Sequence, residues 1–429
     1  MNHNSAKDVL NKISPTACMA KWYRTNLRLD TGVSYSCHHC TPQQIDVEAI
    51  KINPNSLTNT QQVLQDRQEM LSGTKPKECN YCWTAEGNDD VSDRLIKSSD
   101  FMRLLDIKDV DNITMQNMKD TSSLPLAIDV SFDRTCNLKC AYCGPKFSST
   151  WEQEMKQFGS YPTSTKRQDL DFNTILNREH NPYVEAFWKW WPDLKDHLRR
   201  VRVTGGEPLL SKNTYKFLDM CAEENNPNLE ISINSNFSVD INPLLDKLKN
   251  NTFKNFRLYV SLESNKLKSE YNRFGLDYDL FTSNVGKYLK ETNHRLHFML
   301  TNNLLSITGY SEFLEYYISL KKKYGRRLML MSTQLRYPQY LDIRLLDKKN
   351  KTQVQNKIAK VITSPFLSKY EKEIIQRTSN YMDIDIDNKE LLRNDFISFV
   401  KEADKRRETN FLETYPEYTE IFNNWYSIA

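Results

Sequence analysis

The sequence predicts an α/β protein built as an open, partial barrel. Two observations carry the expectation. Between residues 121 and 340, six short β-rich runs alternate with helix-like runs, the pattern of parallel strands joined by crossover helices. Just after the first run stands Cys136-Asn-Leu-Lys-Cys140-Ala-Tyr-Cys143, a cysteine triplet on one short loop.

The strand runs are 124–132, 199–206, 229–235, 256–263, 295–302 and 326–335. Helix-like segments at 211–224, 278–291 and 310–323 fall between them. Six units are too few to close an eight-stranded barrel but suffice for an open one. The first crossover, 144–198, is long and carries Phe187, Trp188, Trp190 and Trp191. Trp188 and Trp191 share a helix face at i, i+3, which reads as packing onto the barrel; a substrate wall is the alternative. Residues 1–120 hold five cysteines, many turn residues and few periodic apolar runs. Such a stretch needs a metal or cluster to make up for a poor core. Residues 341–429 read as a charged, helical C-terminal extension.

Composition narrows the function classes. Hydrophobic residues make 39% and aromatics 11% of the 429, which excludes wholesale disorder. The 59 Lys and Arg nearly cancel the 55 Asp and Glu, leaving +4. Nucleic acid is therefore not indicated as a partner, and neither is a membrane surface. No run has the apolar length of a membrane span, and the start, MNHNSAKDVLNK, lacks the pattern of a secretory signal. The expectation is a cytoplasmic protein. Nine cysteines in a reducing compartment then point to metal or cluster ligation rather than disulfides. Only Cys221 lies outside residues 18–143, and it reads as a small buried hydrophobe.

The C-x3-C-x2-C spacing is a strong signal: roughly 0.004 matches are expected by chance at this cysteine frequency. Thiolates are soft ligands that suit iron–sulfur clusters or zinc. Three on one loop can hold three irons of a cubane and leave the fourth iron open for a substrate or cosubstrate. A zinc knuckle lacking its fourth ligand is the plainer alternative. The second strand run ends in Gly205-Gly206-Glu207-Pro208, in a chain with only 11 glycines. Adjacent glycines let the backbone approach a ligand closely, and Glu207 puts an acceptor at the strand's C-terminal end.

Together these residues resemble the radical S-adenosylmethionine (SAM) enzymes. The resemblance implies a partial (β/α)6 TIM-like barrel whose Cys136, Cys140 and Cys143 bind a 4Fe–4S cluster. The open iron chelates SAM, and reductive cleavage yields a 5′-deoxyadenosyl radical that abstracts hydrogen from a substrate. It implies that Tyr142 packs near the adenine and that Glu207, within Gly205-Gly206-Glu207-Pro208, accepts from the SAM amine. Ser261 and, twelve residues on, Arg273 are implied contacts to the SAM ribose and carboxylate. Asn234 and Asn236 are similar to a TNG-like element of that family. An electron donor such as a flavodoxin or ferredoxin is implied as a partner. So is a peptide or small-molecule substrate.

The N-terminal cysteines form two C-x2-C pairs, Cys37/Cys40 and Cys79/Cys82, with 38 residues between them. Read alone, they are a four-cysteine metal site with zinc as the default, where His38 or His39 could substitute for a thiol. Cys18 to Trp22, Asp30-Thr-Gly32, Met70 to Pro76, Trp83, Glu86 and Arg94 resemble a twitch domain, the shortened form of the SPASM auxiliary-cluster domain. That resemblance implies an auxiliary 4Fe–4S cluster on Cys18, Cys37, Cys79 and Cys82, with Cys40 as the alternative ligand. Gly144 to Trp151 and Phe396 to Glu417 resemble further segments of the same group, the latter a helix that closes the open side of the barrel. The expected organisation is a twitch-like auxiliary-cluster domain (1–120), a radical SAM partial barrel (121–340) and a helical extension (341–429). Competing readings are a zinc-stabilised binding module without catalysis and a radical SAM enzyme that modifies RNA.

Overall fold

The computed structural model describes residues 3–106, 118–120, 122–164, 180–250 and 253–426. Part of the long first crossover, 165–179, lies outside the described residues. In chain order the strands are β1 (Arg24–Arg28), β2 (Val33–Tyr35), β3 (Gln43–Gln44), β4 (Ala127–Ser131), β5 (Lys139–Cys140), β6 (Arg200–Thr204), β7 (Glu230–Ser235), β8 (Asn255–Ser261), β9 (Arg273–Phe274), β10 (Arg295–Asn302) and β11 (Leu328–Gln334).

Nine of them form one open sheet in the order β11-β10-β8-β7-β6-β4-β1-β2-β3. Every neighbour from β11 to β1 is parallel, and β2 and β3 extend the edge antiparallel. The six runs read from sequence are β4, β6, β7, β8, β10 and β11, and the sheet does not close. β1 is an addition: five residues of the N-terminal segment hydrogen-bond along β4 from Arg24↔Ala127 to Arg28↔Ser131.

Side-chain alternation separates two faces. Val201, Val203, Leu258, Val260, Leu296 and Phe298 are buried on one face, and Phe298 meets Phe313 and Tyr317 of helix Tyr310–Tyr324. Arg202, Asn234, Tyr259, Ser261 and Met299 alternate with these residues and line the concave interior. The lower interior is filled by ion pairs, Arg24 with Asp129 at 2.5 Å and Arg200 and Arg257 with Glu230 at 3.2 and 2.8 Å. Phe187, Trp190 and Trp191 are core residues of helix Pro182–Leu194, whereas Trp188 is half-buried and stacks on Phe132. The aromatic group is packing, as expected. Trp190 is buried with Trp191, so the apolar face is wider than the Trp188/Trp191 pair alone. Cys221 is buried in the core on helix Lys212–Glu224.

The N-terminal segment has a second core of its own, against expectation. Leu10, Trp22, Met70, Trp83, Phe101 and Met102 pack together on helices Gln61–Leu71, Asn80–Gly87 and Asp93–Leu104 and their neighbours. Helix Lys389–Arg407 of the C-terminal extension reaches back to the helix after the cysteine loop, Ser149–Phe158: Arg407 meets Glu154 at 3.3 Å and Arg406 donates to the Gly159 carbonyl. Among the described residues, no helix is long and apolar enough to cross a membrane.

Candidate functional site

The cysteine loop leaves β4 at the C-terminal end of the sheet and is fixed from several sides. Cys140 lies in β5, which pairs antiparallel with β9 so that Cys140 stands opposite Arg273. The Ala141 N–H donates to the Asn272 carbonyl at 2.7 Å, and Trp151 Nε1 donates to the Cys140 carbonyl at 3.0 Å. Cys136 N donates to Ser149 Oγ at 3.1 Å, and Leu138 N donates to the Cys136 sulfur at 3.4 Å. Asn137 bridges outward to the Ser238 carbonyl and to the Asn236 amide. Burial pushes the Cys136 thiol up to about 12 and raises Cys140. A ligating metal must displace those protons, and a soft thiol set with few competing donors fits an iron–sulfur cluster.

Gly205 and Gly206 explain how the loop sits so close to β6. A Cβ on Gly205, where φ is +131°, would meet the Asp133 carbonyl oxygen at 2.5 Å. One on Gly206 would meet the Thr135 carbonyl oxygen at 2.3 Å. The missing side chains admit the strand that leads into Cys136, and Glu207 N donates to Thr135 O at 2.7 Å. The sequence reading assigns these glycines to a ligand; what occupies the space beside them is the chain's own backbone at Asp133 to Thr135. Glu207 is 1% exposed and accepts at Oε1 from Leu209 N and Ser235 Oγ and at Oε2 from Asn236 N. Burial outweighs these three donors and pushes its carboxyl up to about 7.

Arg273 is no surface charge. It is 4% exposed, and its Nε and Nη2 clasp the carboxylate of Glu263, which is 0% exposed. Nη1 points at the Cys140 sulfur, 3.7 Å away. The Tyr142 hydroxyl donates to Glu263 Oε1 at 3.0 Å, and the Arg273 guanidinium lies over the Tyr142 ring at 5.3 Å. Burial alone would lower the Arg273 pKa; the Glu263 charge holds it well above the usual value. Asp404 of the C-terminal extension accepts from the Tyr271 hydroxyl at 2.8 Å and so braces the turn that carries Arg273. Glu263 has no role in the sequence reading, although it closes the Val260-Ser261-Leu262-Glu263 strand end. A carboxylate that ends an apolar strand was the available signal.

The remaining barrel residues also gather on this side. Asn234 accepts from Arg202 Nε at 2.9 Å inside the barrel, while Asn236 lies on the Glu207 and Asn137 side. Ser261 ends β8 opposite Met299 of β10. Tyr142, Gly205, Gly206, Glu207 and Arg273 therefore belong to or pack on the cysteine loop and its lead-in, whereas Asn234 and Ser261 stand on the concave face of β7 and β8, beside Arg202 and Met299.

The N-terminal thiols form a second centre. Cys18, Cys37, Cys40, Cys79 and Cys82 line one small cavity, together with Lys21, His39 and Arg94. All five converge, so position alone does not single out four. Cys40 and Cys79 share a hydrogen bond that lowers Cys40 to about 6 and raises Cys79. Lys21 is 2% exposed, lies 2.6 Å from Asp66 and reaches the Cys40 sulfur at 3.5 Å. Arg94 is buried and paired with Glu86 at 2.7 Å. Both cations are themselves paired, and although they pull the Cys18 thiol down, burial outweighs them and raises it, as it raises Cys82. Of the two histidines, His39 reaches the cavity and stacks on Tyr81, while the His38 side chain is 53% exposed.

Residues 130–275 match the domain family described as the Radical SAM superfamily. A GTP 3′,8-cyclase from Campylobacter lari is 27% identical over 110 residues, which cover 26% of this chain and 27% of that protein. The chain thus spans little more than a quarter of the curated relative it matches. Streptococcus suis SuiB bound to S-adenosylmethionine superposes with a TM-score of 0.36 at 13% identity, over 79% of this chain and 67% of that one. The protein described as anSMEcpe with bound AdoMet gives 0.35 at 17% identity, over 55% and 60%. The domain match begins at the end of β4 and takes in the cysteine loop, Gly205-Gly206-Glu207, Ser261 and Arg273. Residues 130–275 are a radical SAM domain.

Proposed function

We propose that the protein is a radical SAM enzyme with an auxiliary iron–sulfur centre in a twitch-like N-terminal region. The observation that carries the reading is the Cys136/Cys140/Cys143 loop, locked between Gly205-Gly206-Glu207 and the buried Arg273–Glu263 pair. Those three thiols would hold a 4Fe–4S cluster, which supplies the electron that cleaves SAM to methionine and a hydrogen-abstracting 5′-deoxyadenosyl radical.

This chain's own residues would bind and orient. Glu207 Oε2 has a single hydrogen bond and keeps a lone pair for the SAM amine. Arg273 has committed one edge to Glu263, so its Nη1, aimed at Cys140, is the donor left for the SAM carboxylate. Tyr142 would flank the adenine, with its hydroxyl anchored on Glu263. Ser261 and Asn234, at or near strand ends, would take the remaining polar edges of SAM. Cys18, Cys37, Cys79 and Cys82 would hold the auxiliary 4Fe–4S cluster, with Cys40 as the alternative ligand beside Lys21. The substrate is proposed to be a peptide or small molecule, and the electron donor a flavodoxin or ferredoxin in the cytoplasm.

Anaerobic reconstitution with iron and sulfide, followed by chemical reduction in the presence of SAM, tests the reading. The parent protein should accumulate 5′-deoxyadenosine, and replacing Cys136, Cys140 and Cys143 by Ala should abolish it. Accumulation at the parent rate in the triple variant overturns the assignment.

A further inference from the structure

We propose that the substrate carries an oxyanion group and that Arg28 receives it in a cavity bounded by Cys40 and the segment after Cys143. The inference rests on the radical SAM reading above and adds the substrate's charge and seat.

The cavity measures about 380 Å³, within the range of small-molecule sites. Its floor is the edge extension of the sheet. Register places Arg28 of β1 beside Val33 of β2, and Val33 beside Gln44 of β3. These side chains share the concave face with Asn26 and Tyr35, whose backbones also pair. One wall is Lys146 and Phe147, just past Cys143; Cys40 of the N-terminal centre is at another. A group held here would touch Cys40 of one centre and the segment that follows the other.

Charge identifies the ligand class. Arg28 and Lys146 line the cavity and no carboxylate does; the acidic group in the wall is the Cys40 thiol, which has Lys21 as its own cation at 3.5 Å. On the same concave face Arg24 and Arg257 are neutralised at contact distance, by Asp129 at 2.5 Å and by Glu230 at 2.8 Å, while Arg202 is engaged by Asn234, Met299 and the Tyr259 ring. Arg28 has neither a contact carboxylate nor such a set of partners. Its nearest carboxylate oxygen, Asp30 Oδ2, is 3.8 Å away, too far for a hydrogen bond. Its Nη2 donates to the Lys146 carbonyl at 2.5 Å, while Nε and Nη1 have no hydrogen bond among the described residues. The side chain is 9% exposed and held under the Phe147 ring, 4.5 Å from its centroid. The Tyr35 hydroxyl beside it has no hydrogen bond among the described residues either. A buried, pre-positioned guanidinium with one free edge is a receptor for the planar or tetrahedral oxygens of a carboxylate or phosphate.

The test uses the reconstituted, SAM-loaded protein and calorimetric titration with three probes: inorganic phosphate, succinate and the neutral succinamide. Binding of either anion without binding of succinamide is expected. Phosphate alone marks a phosphate ester as the source, and succinate alone marks a carboxylate. Arg28→Gln should weaken the bound anion at least tenfold, and Lys146→Ala about two- to fivefold. Lys146→Ala spares the main-chain carbonyl that Arg28 grips, so it carries the comparison if Arg28→Gln loses iron. No anion binding by a parent that binds SAM overturns this assignment alone, as does equal binding by parent and both variants. A parent that does not bind SAM overturns the radical SAM reading itself.

Discussion

The two cysteine centres solve opposite problems. The barrel loop brings three thiols from eight consecutive residues and fixes them with backbone partners on β9, Trp151 and Ser149. Three ligands are one short of a cubane's four irons, so the loop suits a cluster that must stay open. Around it every neighbour is specified: glycines where a Cβ would collide, a buried ion pair at Cys140, and a glutamate with one lone pair spare. The N-terminal centre collects five thiols from three separated stretches, beside helices with their own apolar core. It has one thiol more than the four of a closed cluster, beside the buried Lys21–Asp66 and Arg94–Glu86 pairs. On the function proposed above, the deficit with strict surroundings belongs to the centre that would bind SAM, and the surplus to the one that would hold the auxiliary cluster.

Gly206→Ala should sharpen the contrast most. Its Cβ would come within 2.3 Å of the Thr135 carbonyl oxygen, which is backbone and cannot yield alone. The loop must shift, and iron at the barrel centre should fall to background while the N-terminal iron stays. Iron analysis of the variant checks this. Retention of full iron would show that the loop tolerates displacement.

Glu263→Gln comes next. It leaves the Arg273 guanidinium buried at Cys140 without its counter-charge, and breaking a buried pair from one side costs about 3–5 kcal/mol. Urea unfolding of the apo protein should show that loss. A change below about 1 kcal/mol would mean that the pair is solvated in solution.

Glu207 gives a pH dependence whose sign is fixed. Its carboxyl rises from the ordinary 4.5 to about 7 in the folded apo protein because it is buried. The stabilising contribution is fully present below about 4.5 and is lost as pH rises through about 7, roughly 3 kcal/mol in all. SAM affinity should run the other way, rising through pH 7 as the ionised carboxylate becomes available to the amine. Glu207→Gln should flatten both profiles; an unchanged pH dependence in that variant would assign the titration elsewhere.

The smallest effect belongs to Cys40→Ser. With four thiols remaining, iron at the N-terminal centre and 5′-deoxyadenosine formation should stay within about twofold of the parent, whereas Cys37→Ser should empty the centre. The reverse result makes Cys40 the ligand and Cys37 the spare.

Much of this was legible in the sequence because apolar alternation is a local signal. Five of the six runs from 124–132 to 326–335 contain their strand, and 256–263 misses β8 only by its first residue, Asn255. β1 was not legible, since Arg24-Thr-Asn-Leu-Arg28 is short and mostly polar; its pairing is supplied by β4, about a hundred residues away. The second core was missed for a related reason: Leu10, Trp22, Trp83 and Phe101 converge from separate elements with no long apolar run. At the site, spacing drew attention to Cys136, Cys140 and Cys143, and the family resemblance to Glu207 and Arg273, but neither could say that Arg273 turns to Glu263 rather than to solvent. A two-residue strand, β9, makes that turn, and only tertiary pairing with β5 stabilises it. Arg28 carried no signal, because its cavity joins segments more than a hundred residues apart.

The most direct test of two distinct centres is iron and sulfide analysis of three anaerobically reconstituted proteins. They are the parent, the Cys136/Cys140/Cys143→Ala variant and a variant with Cys18, Cys37, Cys40, Cys79 and Cys82 all replaced by Ala. The account predicts about eight irons per chain in the parent and about four in each variant, with the SAM-induced change in the reduced cluster's magnetic-resonance spectrum confined to proteins that keep the barrel triplet. Loss of all iron from either variant, or zinc in place of iron at the N-terminal thiols, would contradict it.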